Sequence, residues 1–526
     1  MKSATTQRFA HALHHLGALR PDAPLGVLDI GSNSVRLVGY SGSARTPLPI
    51  YNERAFCRLG ESVAATGRIE GKPYALAIMT FHRFRAIAER LGIGDLAVFA
   101  TAAVRDAENS AAFVAEAEDI LGHKIRVLSG KEEAVFSADG VMMAIPNAHG
   151  IVADLGGGSL DLAYAYDNKT HQWATLPLGV LALREYAQTG NKSQTGNKFM
   201  AKFIKEQLAG LDWLAQGRDK PLYIVGGNWR NLAKIHMQHK QYKLNVLHHY
   251  QMQTDAISNF AGDIAALSEG AANSIAAASR LRRTNMPIAA LVLKHLLAAI
   301  KPKQVIVSAN AVREGVLYSL LKKEFRRLDP LLLACEEMAE RLCKSAIYGH
   351  ELVAWTDKLF TYAKPKWIGR TELERLRQAG CLIADLAWAA PPNFRAFMIS
   401  RTVLTAPFVG INHLERIFLA HALAFRHEVN AGDIVDTGKL RLSSRDRKLA
   451  RALGLSCRLA HSLSASLPGL LPHTSLKAGH KKLRLRIDPK HASLISPIIE
   501  KRLARVAKEL DLQPIIDVKP IKAQSG

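Results

Sequence analysis

Two stretches of this chain repeat one design: an apolar run holding an Asp, a turn of small residues, and a second apolar run. The first reads Gly26-Val-Leu-Asp29-Ile-Gly31-Ser32-Asn33-Ser34-Val-Arg36-Leu-Val. The second, 125 residues further on, reads Gly150-Ile-Val-Ala-Asp154-Leu-Gly156-Gly157-Gly158-Ser159-Leu-Asp161-Leu-Ala. Arms rich in Val, Ile and Leu around such a turn predict two β-hairpins. A turn of this kind presents backbone N–H groups in a concave nest that suits phosphate oxygens. The Asp at each strand end is placed to hold a divalent cation or its water shell, and Mg²⁺ favours one or two carboxylates together with phosphate oxygens. Two loops in register imply duplicated domains facing each other across a phosphate cleft.

The chain's 526 residues exceed what one core supports, so three or four domains are expected. A hydrophobic share of 48% with 22% charged residues is that of an ordinary soluble globular protein. The five cysteines, Cys57, Cys335, Cys343, Cys381 and Cys457, lie far apart with no C-x-x-C pair. That spacing argues against a disulfide framework or a zinc site and fits a reducing compartment. Met1–Arg20 has no continuous apolar stretch, so no signal peptide is read there. The longest apolar segment, Pro287–Ile300, is interrupted by Lys294 and His295 and is too short to cross a bilayer. A cytoplasmic protein with no membrane partner is expected. Its net charge of +24 invites polyanions. Residues 431–526 hold 19 Lys and Arg against 8 Asp and Glu, which concentrates the excess in the last fifth of the chain.

Residues 22–145 read as mixed α/β: the first hairpin, Ile50–Cys57, a helix over Lys72–Leu91, a strand at Leu96–Ala100, a helix over Ser110–Leu121, a strand at Ile125–Leu128 and a helix over Lys131–Met143. The second hairpin opens a similar unit, with further strands at Gln172–Pro177, Leu222–Val225 and Gln304–Ser308. Gly226-Gly227-Asn228 opens a helix over Trp229–Met237. Strands alternating with helices in two similar halves point to α/β architecture. From about residue 320 the pattern becomes helix after helix, broken at Pro391-Pro392 and Pro407. From about Asp433 it returns to α/β, with strands at Lys482–Ile487 and Pro514–Val518 and a basic helix over Pro497–Leu510. The expected domains are 1–146, 147–319, 320–432 and 433–526. A short repeat, Gln188-Thr-Gly-Asn-Lys192 and Gln194-Thr-Gly-Asn-Lys198, reads as a loop insertion and lacks the Lys-Ser/Thr pair that closes a Walker A loop.

Five motifs resemble the exopolyphosphatase/guanosine pentaphosphate phosphohydrolase family of the actin-like ATPase superfamily. They are Asp29–Arg36, Ala100–Asn109, Ser129-Gly-Lys-Glu132-Glu133-Ala134, Asp154–Asp161 and Arg313-Glu-Gly315-Val-Leu, in the family's order. The resemblance implies two actin-like (ribonuclease H-like) domains, an all-α HD-like domain and a small α+β C-terminal domain. It places Glu133 as the base that orients the attacking water, a task a carboxylate can perform, and leaves Glu132 as a helix-start carboxylate facing the macrodipole. It implies substrate contacts from Ser32, Asn33, Ser34, Arg105, Gly156, Gly157, Gly158, Ser159 and Arg313; arginine grips phosphate bidentately. Arg36, on the strand beyond the loop, is either a phosphate ligand or a structural ion-pair partner. Asp154, Asp161 and Asp29 are the metal candidates for Mg²⁺ or another divalent cation. Asp161 stands where the family usually has Glu, one methylene shorter, so a water-mediated metal contact is one alternative to a direct one. Gly226-Gly227-Asn228 corresponds to the superfamily's adenosine-side turn, and close helix packing explains its glycines equally well. In the helical block Asp385 has no adjacent His, and His413, His421 and His427 are isolated, so this domain is read as structural or as a channel wall.

The leading functional reading is a metal-dependent exopolyphosphatase that releases orthophosphate from the ends of inorganic polyphosphate, with the basic C-terminal segment as a track for the chain. The same chemistry on guanosine pentaphosphate, in the stringent response, is the nearest alternative. A nucleotide-dependent kinase or ATPase and a non-catalytic polyanion or alarmone sensor are further ones. A homodimer is expected from the resemblance.

Overall fold

The computed structural model describes residues 24–41, 45–189, 196–428 and 430–521. Met1–Arg20 and the middle of the Gln-Thr-Gly-Asn-Lys repeat lie outside the described residues. The described chain forms two compact units, one of residues 24–241 and 245–328, the other of residues 242–244 and 329–521.

The first unit is built on two sheets. β1 (Leu25–Ile30), β2 (Val35–Ser41), β3 (Leu48–Ala55), β4 (Asp95–Ala100) and β5 (Ile125–Val127) make the first, in the order β3-β2-β1-β4-β5. β6 (Gly150–Leu155), β7 (Leu160–Tyr166), β8 (Lys169–Leu176), β9 (Pro221–Val225), β10 (Tyr250–Gln253) and β11 (Gln304–Val307) make the second, in the order β10-β11-β9-β6-β7-β8. In each sheet the first three strands run antiparallel as a meander and the fourth lies parallel to the first. The fifth, β5 or β11, lies parallel to the fourth. The duplication read from two hairpins therefore extends to whole sheets, with β10 added at one edge. Both β1 and β6 are buried along nearly their whole length, as the central strand of a covered sheet must be. β10 escaped the sequence reading because its Tyr-Gln-Met-Gln alternation lasts only four residues, the shortest run that reads as a strand.

Four helices surround the site. α1 (Gly130–Ala144) follows β5, and its first turn is fixed by a capping box between Ser129 and Glu132. α2 (Gly227–His239) opens from the glycine turn after β9, α3 (Met286–Ile300) precedes β11, and α4 (Val312–Leu320) follows it. α1 and α4 touch backbone to backbone. A Cβ on Gly140 would stand 2.1 Å from the Ala311 carbonyl oxygen, and one on Gly315 would stand 1.8 Å from that of Phe136. This approach explains the glycine of the Arg313-Glu-Gly motif and couples the helix carrying Glu133 to the helix carrying Arg313.

In the second unit, α5 (Pro330–Leu342), α6 (Ala346–Trp355), α7 (Arg370–Leu382), α8 (Arg395–Thr405) and α9 (His413–His427) form the expected helical block. α9 is buried on almost every side and is its centre. α10 (Ser444–Ser464) packs along α9 within the same compact unit, so contacts continue across residue 433. The chain ends in a small sheet of β12 (Thr474–Ala478), β13 (Lys482–Ile487) and β14 (Gln513–Val518), with α11 (Pro497–Glu509) before the last strand. β12 was not expected; its Thr-Ser-Leu-Lys-Ala sequence gains strand character only by pairing with β13.

Candidate active site

The two hairpin loops are closed by the same bond. The Gly31 N–H donates to the Ser34 carbonyl oxygen at 3.1 Å, and the Gly156 N–H donates to that of Ser159 at 2.9 Å. Neighbouring segments then hold each loop from outside: Gly60 N–H reaches the Ser32 carbonyl at 2.7 Å, and Leu181 N–H reaches the Gly157 carbonyl at 2.8 Å. With the loop carbonyls engaged, the N–H groups of Asn33, Gly157 and Gly158 meet no acceptor among the described residues. Loops rigid at their carbonyls and open at their amides are built for an anion. Ser32, Asn33, Ser34, Gly156, Gly157, Gly158 and Ser159 all line one cavity of about 380 Å³, with Asp29, Glu133, Asp154, Asp161 and Arg313.

The carboxylates of this cavity have distinct environments. Glu132 accepts the Ser129 N–H at 2.9 Å and pairs with Arg126; that backbone bond leads in holding its pKa down to about 2. Glu132 is therefore the helix-start carboxylate, and its neighbour Glu133 turns into the cavity. Glu133 is 7% exposed and is gripped by the Arg105 guanidinium. Burial, then the charge of Asp161, push its pKa up to about 8 against the pull of Arg105. Asp154 and Asp161 face each other directly across the β6–β7 ladder. Burial leads in raising both, Asp161 to about 7, with Asp154 as the next cause for Asp161. Asp154 accepts a bond from Ser137 at 2.5 Å, and Asp161 Oδ2 one from Ser159 at 3.0 Å. Asp161 Oδ1 is buried without a well-formed hydrogen bond, although the Thr175 hydroxyl lies near enough to lower its pKa.

Among the described residues no three His, Cys, Asp or Glu side chains are gathered closely enough to enclose a metal ion. Asp29, Asp154 and Asp161 therefore do not form a three-carboxylate cage. Asp29 is instead ion-paired with Arg313 at 3.3 Å. A cation that needs one or two carboxylates and completes its shell with phosphate oxygens and water fits the Asp154–Asp161 pair, where an acceptor atom stands without a partner and like charges crowd.

The arginines differ from the sequence reading. Arg36 is not among the residues that line the cavity; its Nε donates to Asn52 at 2.8 Å, and it is within ion-pair distance of no carboxylate among the described residues. Arg105 is likewise absent from the lining, because it is occupied by Glu133, Asp106 and the Leu128 carbonyl. Arg313 does line it, held by Asp29 and Glu314. Five further arginines line the cavity: Arg54, Arg58, Arg184, Arg230 and Arg282. They come from separate segments with no common motif, and only the excess of positive charge hinted at them.

In the helical unit Asp385 pairs with Arg426 at 3.2 Å and accepts from Ser466 at 3.3 Å. Both residues are buried, so Asp385 neutralises an interior arginine.

Two halves of one topology with a phosphate-type cavity between paired loops define the actin-like class of α/β proteins. The model of the Ppx/GppA phosphatase family matches residues 40–324, more than half of the chain, and a second, described as exopolyphosphatase, C-terminal, matches residues 331–512. The chain belongs to the Ppx/GppA phosphatase family. It is 33% identical over 162 residues to exopolyphosphatase 1 of Mycobacterium tuberculosis, a stretch covering 30% of this chain and 46% of that protein. The match thus spans about half the length of that relative. It is 21% identical over 510 residues to the guanosine-5'-triphosphate,3'-diphosphate pyrophosphatase of Pseudoalteromonas atlantica, covering 92% of this chain and 95% of that protein. In fold it resembles the crystal structure of an exopolyphosphatase from Cytophaga hutchinsonii, with TM-score 0.52 and 22% identity over 56% of this chain and 97% of that one.

Proposed function

We propose that the protein is an exopolyphosphatase: water attacks the terminal phosphorus of an inorganic polyphosphate chain, the bridging P–O bond breaks, and orthophosphate leaves a chain one unit shorter. The observation that carries this reading is Glu133, a buried carboxylate steered by Arg105 into a cavity whose opposing loops offer unpaired amides. Glu133 positions the water and takes up its proton. The Asn33, Gly157 and Gly158 amides and Arg313 hold the terminal phosphate in line with it. Asp154 and Asp161 would hold Mg²⁺, which when bound supplies positive charge to the phosphate oxygens. No helix among the described residues is long and apolar enough to cross a membrane. A cytoplasmic homodimer organised as 1–146, 147–319, 320–432 and 433–526 belongs to the same proposal. Guanosine pentaphosphate is the second reading, favoured by the relative that matches nearly the whole chain.

Phosphate release from long polyphosphate, with and without EDTA, tests the assignment. Glu133→Gln is expected to lower kcat by about a hundredfold or more while the chain still binds. EDTA is expected to stop wild-type turnover and added Mg²⁺ to restore it. Normal turnover by Glu133→Gln would remove the base, and turnover in EDTA would remove the metal pair.

A further inference from the structure

The segment between α6 and α7 displays rings that the fold leaves half uncovered. Tyr362 is 48% exposed and Trp367 is 54% exposed, yet the backbone at Trp367 is held by a wholly buried carboxylate. Asp446, in the first turn of α10, accepts the Lys366 N–H at 2.8 Å and the Trp367 N–H at 3.0 Å, and Ser443 donates to it at 2.6 Å. Burying a carboxylate is unfavourable, and here it is offset by hydrogen bonds that fix the segment. The small sheet supplies a second anchor. The Ala478 N–H donates to the Lys358 carbonyl at 3.2 Å, where Lys358 bridges to Lys477 of β12. The turn from β12 to β13 is closed by the Gly479 N–H on the Lys482 carbonyl at 2.8 Å, and it sets the His480 ring centre 4.0 Å from that of Tyr362.

Tyr362, Trp367 and His480 line one cavity of about 1010 Å³. Its charges do not cancel. The two acids on its wall are already paired, Glu509 with Arg451 and Asp511 with Lys448, each at 3.1 Å. Lys364, Lys366 and Arg445 also line it and are within ion-pair distance of no carboxylate among the described residues. The His480 turn is shared with a second groove, of about 470 Å³, on the sheet. With Leu483, Leu485 and Ile487 turned inward, Lys482, Arg484 and Arg486 follow one another on the outer face of β13, about 6.7 Å from one to the next. Lys477 stands opposite Arg484 across the ladder, and Asp517 reaches Arg484 at 2.9 Å. A row of cations leading to rings and further cations matches a polyanion whose phosphates carry flat bases. Inorganic polyphosphate would engage the cations and leave the rings unused.

We propose that this face of the second unit binds single-stranded nucleic acid, with phosphates along Lys482, Arg484 and Arg486 and bases stacked on Trp367 and Tyr362. It lies in the unit of residues 329–521 and uses none of the residues assigned to hydrolysis. Anisotropy of a fluorescein-labelled RNA of about eight adenylates on the full chain tests this, a length within the range such grooves take. Binding is expected to weaken steeply with salt. Trp367→Ala and Tyr362→Ala are each expected to weaken it about tenfold, the loss of one base–aromatic stack. Their affinity for long polyphosphate, read by calorimetry, is expected to stay at the wild-type value. Lys482→Gln with Arg486→Gln should weaken both polyanions and lower the salt slope. A duplex keeps its bases out of reach of the rings and is expected to bind less tightly than the strand. If one ring variant loses the wild-type thermal transition, the other carries the comparison. No binding of the strand, full binding by both ring variants, an equal loss on polyphosphate, or a duplex bound as tightly would each overturn the proposal. So would adenosine monophosphate competing as well as the strand does, since the cavity would then be a mononucleotide pocket.

Discussion

In the hydrolysis proposed above, the chemistry rests on one ion pair, Arg105 with Glu133. Burial and Asp161 raise the Glu133 pKa to about 8, and Arg105 works against both. A base acts only when ionised, so kcat/KM is expected to rise with pH towards that value and to level off above it. Removing the guanidinium removes the force favouring the carboxylate, so Arg105→Gln is expected to move the acid limb upward by about one pH unit. A pH–rate profile of the variant beside the wild type checks this, and a limb that stays in place would make Arg105 a structural anchor only. Neither Arg105 nor Glu133 needed the structure to be singled out, because Ser-Gly-Lys-Glu-Glu and Ala-Ala-Val-Arg are local patterns. What the sequence hid was their contact, which joins residues 28 positions apart across β5. Arg36 was open between a phosphate ligand and an ion-pair partner from its place in the loop motif, and the ladder sets it over β3, where Asn52 accepts from it.

At the scale of elements, the hairpins were legible because Asp, Gly and apolar alternation are written within a dozen residues. Arg54, Arg230 and Arg282 were not, since a strand, a helix and a 3₁₀ turn meet only after the two sheets have formed. The α1–α4 contact is of the same long-range kind, although its Gly315 was visible in a motif. Alanine at Gly315 must displace the Phe136 backbone, and overpacking of this sort costs about 1–3 kcal/mol. Gly315→Ala is expected to lower Tm and, by shifting the helix that carries Glu133, to lower kcat more than it raises KM. A lower Tm with unchanged kcat would show that the contact supports the fold without setting the base. β13 gives a second case. Leu483, Leu485 and Ile487 are buried while Lys482 and Arg484 face solvent, and with Lys477 they line a groove of about 470 Å³. Deleting everything from 433 would strip α10 from α9, so substitution is the cleaner probe of the basic segment. Replacing Lys477, Lys482 and Arg484 by Gln is expected to raise KM for long polyphosphate, to leave tripolyphosphate unchanged, and to flatten the salt dependence. Equal effects on both chain lengths would remove the track.

The two compact units hold buried ionisable groups in opposite balance, although each has some of the other kind, His236 lowered to about 4 in the first and Glu336 raised to about 7 in the second. In the unit of residues 329–521, His421, His427 and His461 are held by burial at about 4, 3 and 4. The unfolded chain takes up these protons near pH 6.5, so their contribution is full above that pH and is lost as pH falls towards 4. His421, the most buried of the three, alone accounts for about 1.4 kcal/mol per pH unit in that window. In the other unit burial raises carboxylates: Asp139 to about 6, Asp161 to about 7 and Glu133 to about 8. Their folded forms bind protons that the unfolded chain has already released above about pH 4, so stability falls as pH rises from there through 8. Lowering pH from 7.5 to 5 is therefore expected to stabilise the unit of residues 24–241 and 245–328 while it weakens the other. Calorimetric scans of the metal-free protein in EDTA check this, with a variant carrying Phe at Trp173, Trp213 and Trp229 leaving Trp355, Trp367 and Trp388 to follow the second unit by fluorescence. The high-pH profile should show closely spaced transitions that separate on acidification as one Tm rises and the other falls. Transitions that move together would mean that the histidines and the cleft carboxylates do not govern their units separately. Addition of Mg²⁺ should then raise the Tm of the first unit at pH 7.5 more than at pH 5, because protonation of Asp161 competes with the cation for the same oxygens.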